Sequence, residues 1–204
     1  MQDIDLKKDL KPLYGPSSKN ISEVDVPPMN FLMVDGQGNP NTALAYQQAV
    51  EALYSVAYTL KFVLKNEARK NYTVMPLEGL WWVPDMTQFS VEDKDAWLWT
   101  AMIMQPSDVT PEFFKHACAE AGKKKELPAL AKMRLESFQE GVAAQILYFG
   151  PYADEGPTIA HIHAHIHNQG GTLSGKHHEI YLNDARKAAP EKLKTVIRQP
   201  YRLI

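Results

Sequence analysis

The 204-residue chain holds a single cysteine, Cys118. No intrachain disulfide can form, and such sparse thiol usage fits a reducing compartment. There is no apolar run of about twenty residues, so no membrane span is expected. The first stretch, MQDIDLKKDLKPLYGPSSKN, mixes acids and bases without an apolar block and does not read as a secretory signal. The expectation is a cytoplasmic protein. Basic residues are not in excess: 22 Lys and Arg face 24 Asp and Glu, a formal net charge of −2. Nucleic acid is therefore not the expected partner, because phosphates need a basic surface. KKK at 123–125 is the one basic cluster of note and reads as a solvated helix end. Several catalytic signatures are missing as well: GxSxG, the P-loop and GxGxxG. GQGNPN is a turn, not a phosphate loop. Cys118 and His116 lie two apart in a helical pattern and face away from each other. No cofactor is expected.

What the chain has is enough apolar material, 45% of its residues, for a sizeable core. Residues 1–28 are polar, interrupted by prolines, and read as an N-terminal extension with one short helix at Asp3 to Leu10. FLMVDGQG is a strand stopped by glycines, and Asn41 is placed to cap a helix after it. In TALAYQQAVEALYSVAYTLKFVLKN, residues Tyr46, Val50, Leu53, Ala57, Leu60 and Leu64 recur at helical spacing. YTVMPLEGLWWV and AWLWTAMIMQP read as strands. In SDVTPEFFKHACAEAGKKK, Thr110 before Pro111 marks a helix start. From 140 onward, GVAAQILYFGPY, GKHHEIYLND and LKTVIRQPYR read as three more strands.

Between the first two of these lies IAHIHAHIHNQGG, with His161, His163, His165 and His167 at every second position. As a strand it would put all four imidazoles on one face. Pro157, the stop at Gly170 and Gly171, and the length of the run favour a helix. On a helical wheel Ile159, Ile162 and Ile166 form the buried face, His161 and His165 point to solvent, and His167 is lateral. His163 sits at the apolar edge. An i, i+4 pair could hold zinc with help from elsewhere, but HExxH is absent and no metal is expected. With a helix here, the two halves of the chain share a β-α-β-β order, an internal repeat.

Aligning the halves on the first strand after each helix sets Glu78 against Glu179. Each carboxyl interrupts an apolar or aromatic strand, so each must find a partner or line a cavity. By alternation, Leu80 and Trp82 share the face of Glu78, and His177 and Tyr181 share that of Glu179. Trp81, Trp82, Trp97, Trp99 and Tyr148 concentrate nearby. Such rings can fill a core. Together with two matched glutamates they point to a pocket for flat or cationic small molecules.

MNFLMVDGQGNPN, AVEALYSVAYTLKF, MPLEGLWW, AWLWTAMIMQP and HHEIYLNDARKAAPEKLKTVIRQP together resemble the GyrI-like small-molecule-binding superfamily. They are most similar to its stand-alone branch, which includes bacterial cyclopropanoid hydrolases. The resemblance implies an α+β fold of duplicated β-α-β-β modules with pseudo-two-fold symmetry around a central ligand cleft. The helices would lie on the other side of the sheet. Module 1 would span about 29–106, a helical insertion about 107–137, and module 2 about 138–202, within one domain over 29–204. The resemblance also makes Glu179 the recurrent cleft carboxylate.

Two functions then stand side by side. One is hydrolysis of strained cyclopropane-bearing DNA-alkylating xenobiotics. There Glu179 would orient or deprotonate water, and Tyr181 or His177 would hydrogen-bond the oxygen that gains charge. Glu78, Trp81, Trp82, Trp97, Trp99 and Tyr148 would bind the ligand. The other is non-catalytic binding, sequestering or sensing by the same residues. The expected partner is a planar aromatic or cationic small molecule in either case. Oligomeric state is not legible.

Overall fold

The computed structural model of the chain describes residues 2–90 and 93–203. The strands are β1 (Gln2–Ile4), β2 (Ser22–Val26), β3 (Met29–Gln37), β4 (Lys70–Tyr72), β5 (Leu77–Trp82) and β6 (Leu98–Gln105), followed by β7 (Arg134–Phe138), β8 (Gly141–Phe149), β9 (Gly171–Leu173), β10 (His177–Tyr181) and β11 (Lys194–Leu203). The helices are α1 (Leu6–Asp9), α2 (Lys11–Tyr14), α3 (Leu44–Glu67), α4 (Pro111–Lys124) and α5 (Gly156–Asn168). Nine strands form one sheet in the order β2-β8-β11-β10-β5-β6-β3-β7, with β9 paired to β11. All its pairings are antiparallel. The architecture is therefore α+β, and β5 and β10 meet at its centre.

The chain crosses this sheet twice in the same sense. The first segment runs β3, α3, β5, β6 and the second β8, α5, β10, β11. Counting outward from the centre, each places its second strand first, its third next and its first strand outermost. Between them, α4 packs on α3, and β7 extends the sheet beyond β3. Thr110 caps α4, its side chain accepting from the Phe113 N–H.

Helix α3 holds its stripe against the sheet: Leu53, Ala57, Leu60 and Leu64 are buried. Asn41 does not cap it. The helix starts from Ala43, and the Asn39 carbonyl accepts from the Thr42 and Ala43 N–H groups, making a turn instead. The histidine-rich run is α5. Ile162 and Ile166 are buried against Ala144, Ile146 and Ile197, and Gly170 ends the helix at φ 75°. The left-handed conformation suits a glycine at a helix C-terminus.

The N-terminal segment is not the single helix expected over Asp3 to Leu10. Residues 2–4 pair in parallel with β4. Asp5 then caps α1, its side chain accepting from the Lys8 N–H, and the chain breaks at Leu10. Pro12 suits the first turn of a new helix, α2. This segment delivers Leu13 and Tyr14 onto one face of the sheet. Helices α3 and α5 cover the other face, because Tyr46 packs on Trp81 and Ile162 clusters with Ile197.

Candidate functional site

Cross-strand partners in an antiparallel pair share a face. Glu179 pairs with Gly79, His177 with Trp81, and Tyr181 with Leu77, so these side chains all point to the helix-covered side. Trp99 joins them through its pairing with Trp81. Above this floor a cleft of about 1480 Å³ opens between α3 and the N-terminal end of α5. The cleft thus opens on the helix side of the sheet, whereas the family resemblance implied that the helices lie on the other side. Tyr46 and Tyr54 of α3 form one wall, and Tyr152 and Glu155 another. A smaller groove of about 630 Å³ lies beside Glu140, Lys176 and Arg202. Its lining contains neither Glu179 nor a tryptophan, so the larger cleft is the candidate site.

The aromatic lining is continuous. Tyr46 lies 5.5 Å from Trp81 and 5.1 Å from Trp99, and Trp81 lies 5.3 Å from Trp97, centroid to centroid. Phe89 stacks on Trp97 at 5.0 Å, and the Trp97 indole N–H donates to the Ser90 carbonyl at 2.8 Å. Trp81 can lie flat because the same-face residue two positions earlier is Gly79. A Cβ there would meet the indole at 2.8 Å. Gly36 does the same for Trp99, where a Cβ would meet the ring at 2.2 Å.

Glu179 sits at the base of this cleft with both oxygens engaged. His177 Nε2 donates to Oε1 at 3.1 Å, and the Tyr181 hydroxyl donates to Oε2 at 2.6 Å. Trp81 Nε1 in turn donates to the Tyr181 oxygen at 3.2 Å. Burial pushes the Glu179 carboxyl up, but the hydrogen bond and charge of His177, then the Tyr181 hydroxyl, outweigh it and hold it below its ordinary value. The result is a fixed carboxylate among rings.

A second acid reaches the same cleft that sequence reasoning missed. Glu155 precedes α5, is only 2% exposed, and makes no side-chain cap to the helix. Its Oε1 has no hydrogen-bond partner among the described residues. Burial, then the neighbouring Glu179 charge, push its carboxyl up to about 9. In GPYADEGP nothing periodic marks it. The one available signal is an acid immediately before a helix start whose Pro157 comes two residues later.

Glu78 lies elsewhere. It pairs with Ile180, one rung from Glu179, and so projects from the opposite face. There the Tyr14 hydroxyl donates to its Oε1 at 2.7 Å and His178 Nε2 to its Oε2 at 3.0 Å. His178 Nδ1 reaches Glu140 at 3.0 Å. Arg198 donates to Glu140 at 2.9 Å, to Gln145 at 2.9 Å and to the Leu13 carbonyl at 2.7 Å. Two acidic and two basic side chains are thus buried together under the N-terminal segment. Trp82 is on this face too, with Lys176 over its ring. Glu78 and Trp82 are therefore outside the cleft. Trp99 lies beneath its floor, buried against Tyr46. Tyr148 is on the cleft's face but donates to the Pro151 carbonyl at 3.2 Å, away from Glu179.

The histidines of α5 do not converge. His161 and His167 are exposed, His165 meets Glu23 at 3.2 Å, and the His163 Nε2 is buried without a hydrogen-bond partner among the described residues. Among the described residues no three His, Cys, Asp or Glu side chains are grouped to hold a metal ion. Among the described residues no helix is long and apolar enough to cross a membrane.

The whole chain has close structural counterparts. An uncharacterized conserved protein from Listeria innocua is 41% identical with a TM-score of 0.89, covering 98% of this chain and 100% of its own. Two hydrolases from Listeria innocua are 38% and 39% identical, with TM-scores of 0.85 and 0.87 and the same coverage. The EcmrR C-terminal domain, at 10% identity and a TM-score of 0.56 over 91% of this chain and 98% of its own, shares the fold alone. No curated protein matches. Residues 19–202 match the GyrI-like small molecule binding domain, and the chain belongs to that family.

Proposed function

We propose that the protein takes planar aromatic or cationic small molecules into the cleft and hydrolyses those carrying a strained cyclopropane, such as DNA-alkylating xenobiotics. The observation that carries this reading is the fixed carboxylate of Glu179 at the base of an aromatic cleft. Rings at Tyr46, Trp81 and Trp97 would stack on a flat ligand, and a cation would gain from them and from Glu179. Glu179 would accept a proton from water as the water attacks a ring carbon. Release of ring strain leaves positioning and general base action, worth about 10²–10⁴-fold for the base, to supply the rest. The two Listeria hydrolases that match end to end support the enzymatic reading over binding alone.

The test is turnover. Pure protein is incubated with a planar aromatic compound bearing a cyclopropane conjugated to a carbonyl, and ring opening is monitored by mass spectrometry. Product beyond one equivalent supports hydrolysis, and Glu179→Gln should abolish it. Saturable binding with no product would leave a binding or sequestering module and sink the enzymatic reading.

A further inference from the structure

The opening of a cyclopropane conjugated to a carbonyl needs two proton movements. Water loses one proton as its oxygen bonds to the ring carbon. The breaking carbon–carbon bond sends its electron pair through the conjugated system to the carbonyl oxygen, which must gain another. Glu179 serves the first movement. The two side chains nearest to it do not serve the second, because His177 and Tyr181 both direct their protons at Glu179 itself.

Resting on the hydrolase reading, we propose that Glu155 is the catalytic acid of this cleft, delivering its proton to the substrate oxygen that gains charge. The geometry supports it directly. Glu155 lines the same cleft as Glu179, is 2% exposed, and its buried Oε1 has no hydrogen-bond partner among the described residues. At an N-cap a short polar side chain, Ser, Thr, Asp or Asn, ordinarily bonds a free backbone N–H. Glu155 forgoes that bond.

The groups around it make it the better donor. Glu179, Tyr152, Tyr181, Tyr148, Lys94 and the Thr195 hydroxyl face it, Glu179 and Thr195 within hydrogen-bonding reach. Burial and the Glu179 charge keep it protonated through neutral pH, as in two carboxyls that cannot both ionise. The competing phenols are weaker acids: burial pushes Tyr152 up to about 12 and Tyr46 higher still. Lys94 also lines the cleft and places its ammonium 5.2 Å from the Trp97 ring centroid.

The step balances within the pair. Glu179 gains the proton water loses, and Glu155 gives its own to the oxygen that becomes an enol or phenol. The carbon–oxygen bond to water forms and the ring carbon–carbon bond breaks. One proton remains on the two carboxyls, now on Glu179. Its return to Glu155 resets the site without an outside oxidant, reductant or co-reactant.

Glu155→Gln tests it with two independent readouts. Turnover of the carbonyl-conjugated cyclopropane should fall about 10²–10⁴-fold in kcat with little change in KM. The loss of rate at alkaline pH, where Glu155 ionises in the wild type, should vanish from the residual profile. Thermal unfolding supplies the second readout. The unfolded chain ionises Glu155 above about 4.5 while the folded chain holds its proton to about 9, so folding is opposed increasingly over that window. The Glu155→Gln protein should melt above wild type near pH 8, with the gap closing as pH falls towards about 4.5. A variant that turns over at the wild-type rate, or a melting difference constant with pH, overturns the assignment. A wild type that forms no product sinks the hydrolase reading itself. An active wild type with an equally active Glu155→Gln sinks only the acid.

Discussion

Glu78 and Glu179 stand one rung apart on neighbouring strands and leave the sheet from opposite faces. One joins a buried ionic network closed by the N-terminal segment, and the other meets a cleft lined with rings. The sheet centre therefore does two jobs back to back. Removing one partner from a buried ionic network costs about 3–5 kcal/mol, because the remaining charge is stranded. Arg198→Met should destabilise the fold by that amount in urea unfolding. Folded Arg198→Met should still bind cleft ligands in the wild-type ratio; loss of binding by the folded fraction would contradict the separation.

The network also sets a pH window. Burial opposes charge on His178, but the charge and hydrogen bond of Glu140, then the bond to Glu78, push it up to about 8. Its contribution, about 2 kcal/mol, is fully present below about 6.5 and is lost as pH rises through about 8. Glu140 runs the other way. Burial would raise it, yet His178 and Arg198 hold it at about 2, so its contribution of about 3 kcal/mol is present above about 4.5 and lost as pH falls towards 2. In a Glu155→Gln, His163→Gln background, where the titrations of those two groups are gone, urea unfolding should show a plateau between about pH 4.5 and 6.5 with a decline on each side. Stability that stays flat from about pH 6.5 to 8 in this variant would remove His178 from the account.

Tyr181→Phe removes the 2.6 Å donor to Glu179 and the acceptor for the Trp81 N–H. A hydrogen bond to a charged group is worth about 1.5–3 kcal/mol. Turnover should fall about 10- to 100-fold. The Glu179 carboxyl, less well stabilised as an anion, should titrate higher, moving the acid limb of the rate profile upward. A profile with an unmoved acid limb would show that Tyr181 does not act on Glu179.

Gly79→Ala puts a Cβ 2.8 Å from the Trp81 indole. The ring must lift into the cleft or the strand must shift, at about 1–3 kcal/mol. Weaker binding of flat ligands, measured by titration, should accompany the lower melting point. Intact affinity in the variant would mean that Trp81 does not form part of the binding surface.

Replacing His161 and His165 by Ala should change neither turnover nor melting temperature beyond the effect of a surface substitution, within about 0.5 kcal/mol. The Glu23–His165 contact lies on an exposed edge and is worth little. Elemental analysis of purified protein should find no stoichiometric zinc. A stoichiometric metal lost with these two histidines would reverse this reading of α5.

Local periodicity made much of this molecule legible. The apolar spacing of α3 and the Pro157 and Gly170 punctuation of α5 mark the helices, and alternation correctly set His177, Glu179 and Tyr181 on one face. Alternation says nothing about how two strands are offset, because each face is defined only within its own strand. That is why Glu78, aligned with Glu179 in sequence, came to rest on the other side: the β5–β10 register pairs Glu78 with Ile180 instead. Trp82 goes with it for the same reason. Glu155 was illegible for a different cause. It sits in an aperiodic link, and only the packing of α5 over β8 and β11 brings it beside Glu179. Asn41 has the chemistry of a cap, but the turn at Asn39 fixes the helix start first.

The two sides of the cleft come from separate stretches of chain, α3 from the first segment and the Tyr152–Glu155 approach to α5 from the second, while the floor beneath is one continuous set of rungs. Breadth and chemistry are therefore uncoupled. On the proposed function, substitutions along α3 away from Tyr46 would resize the aperture for a bulkier or slimmer guest while Glu179, His177 and Tyr181 keep their hydrogen bonds, so guest selectivity would drift without retuning those three groups.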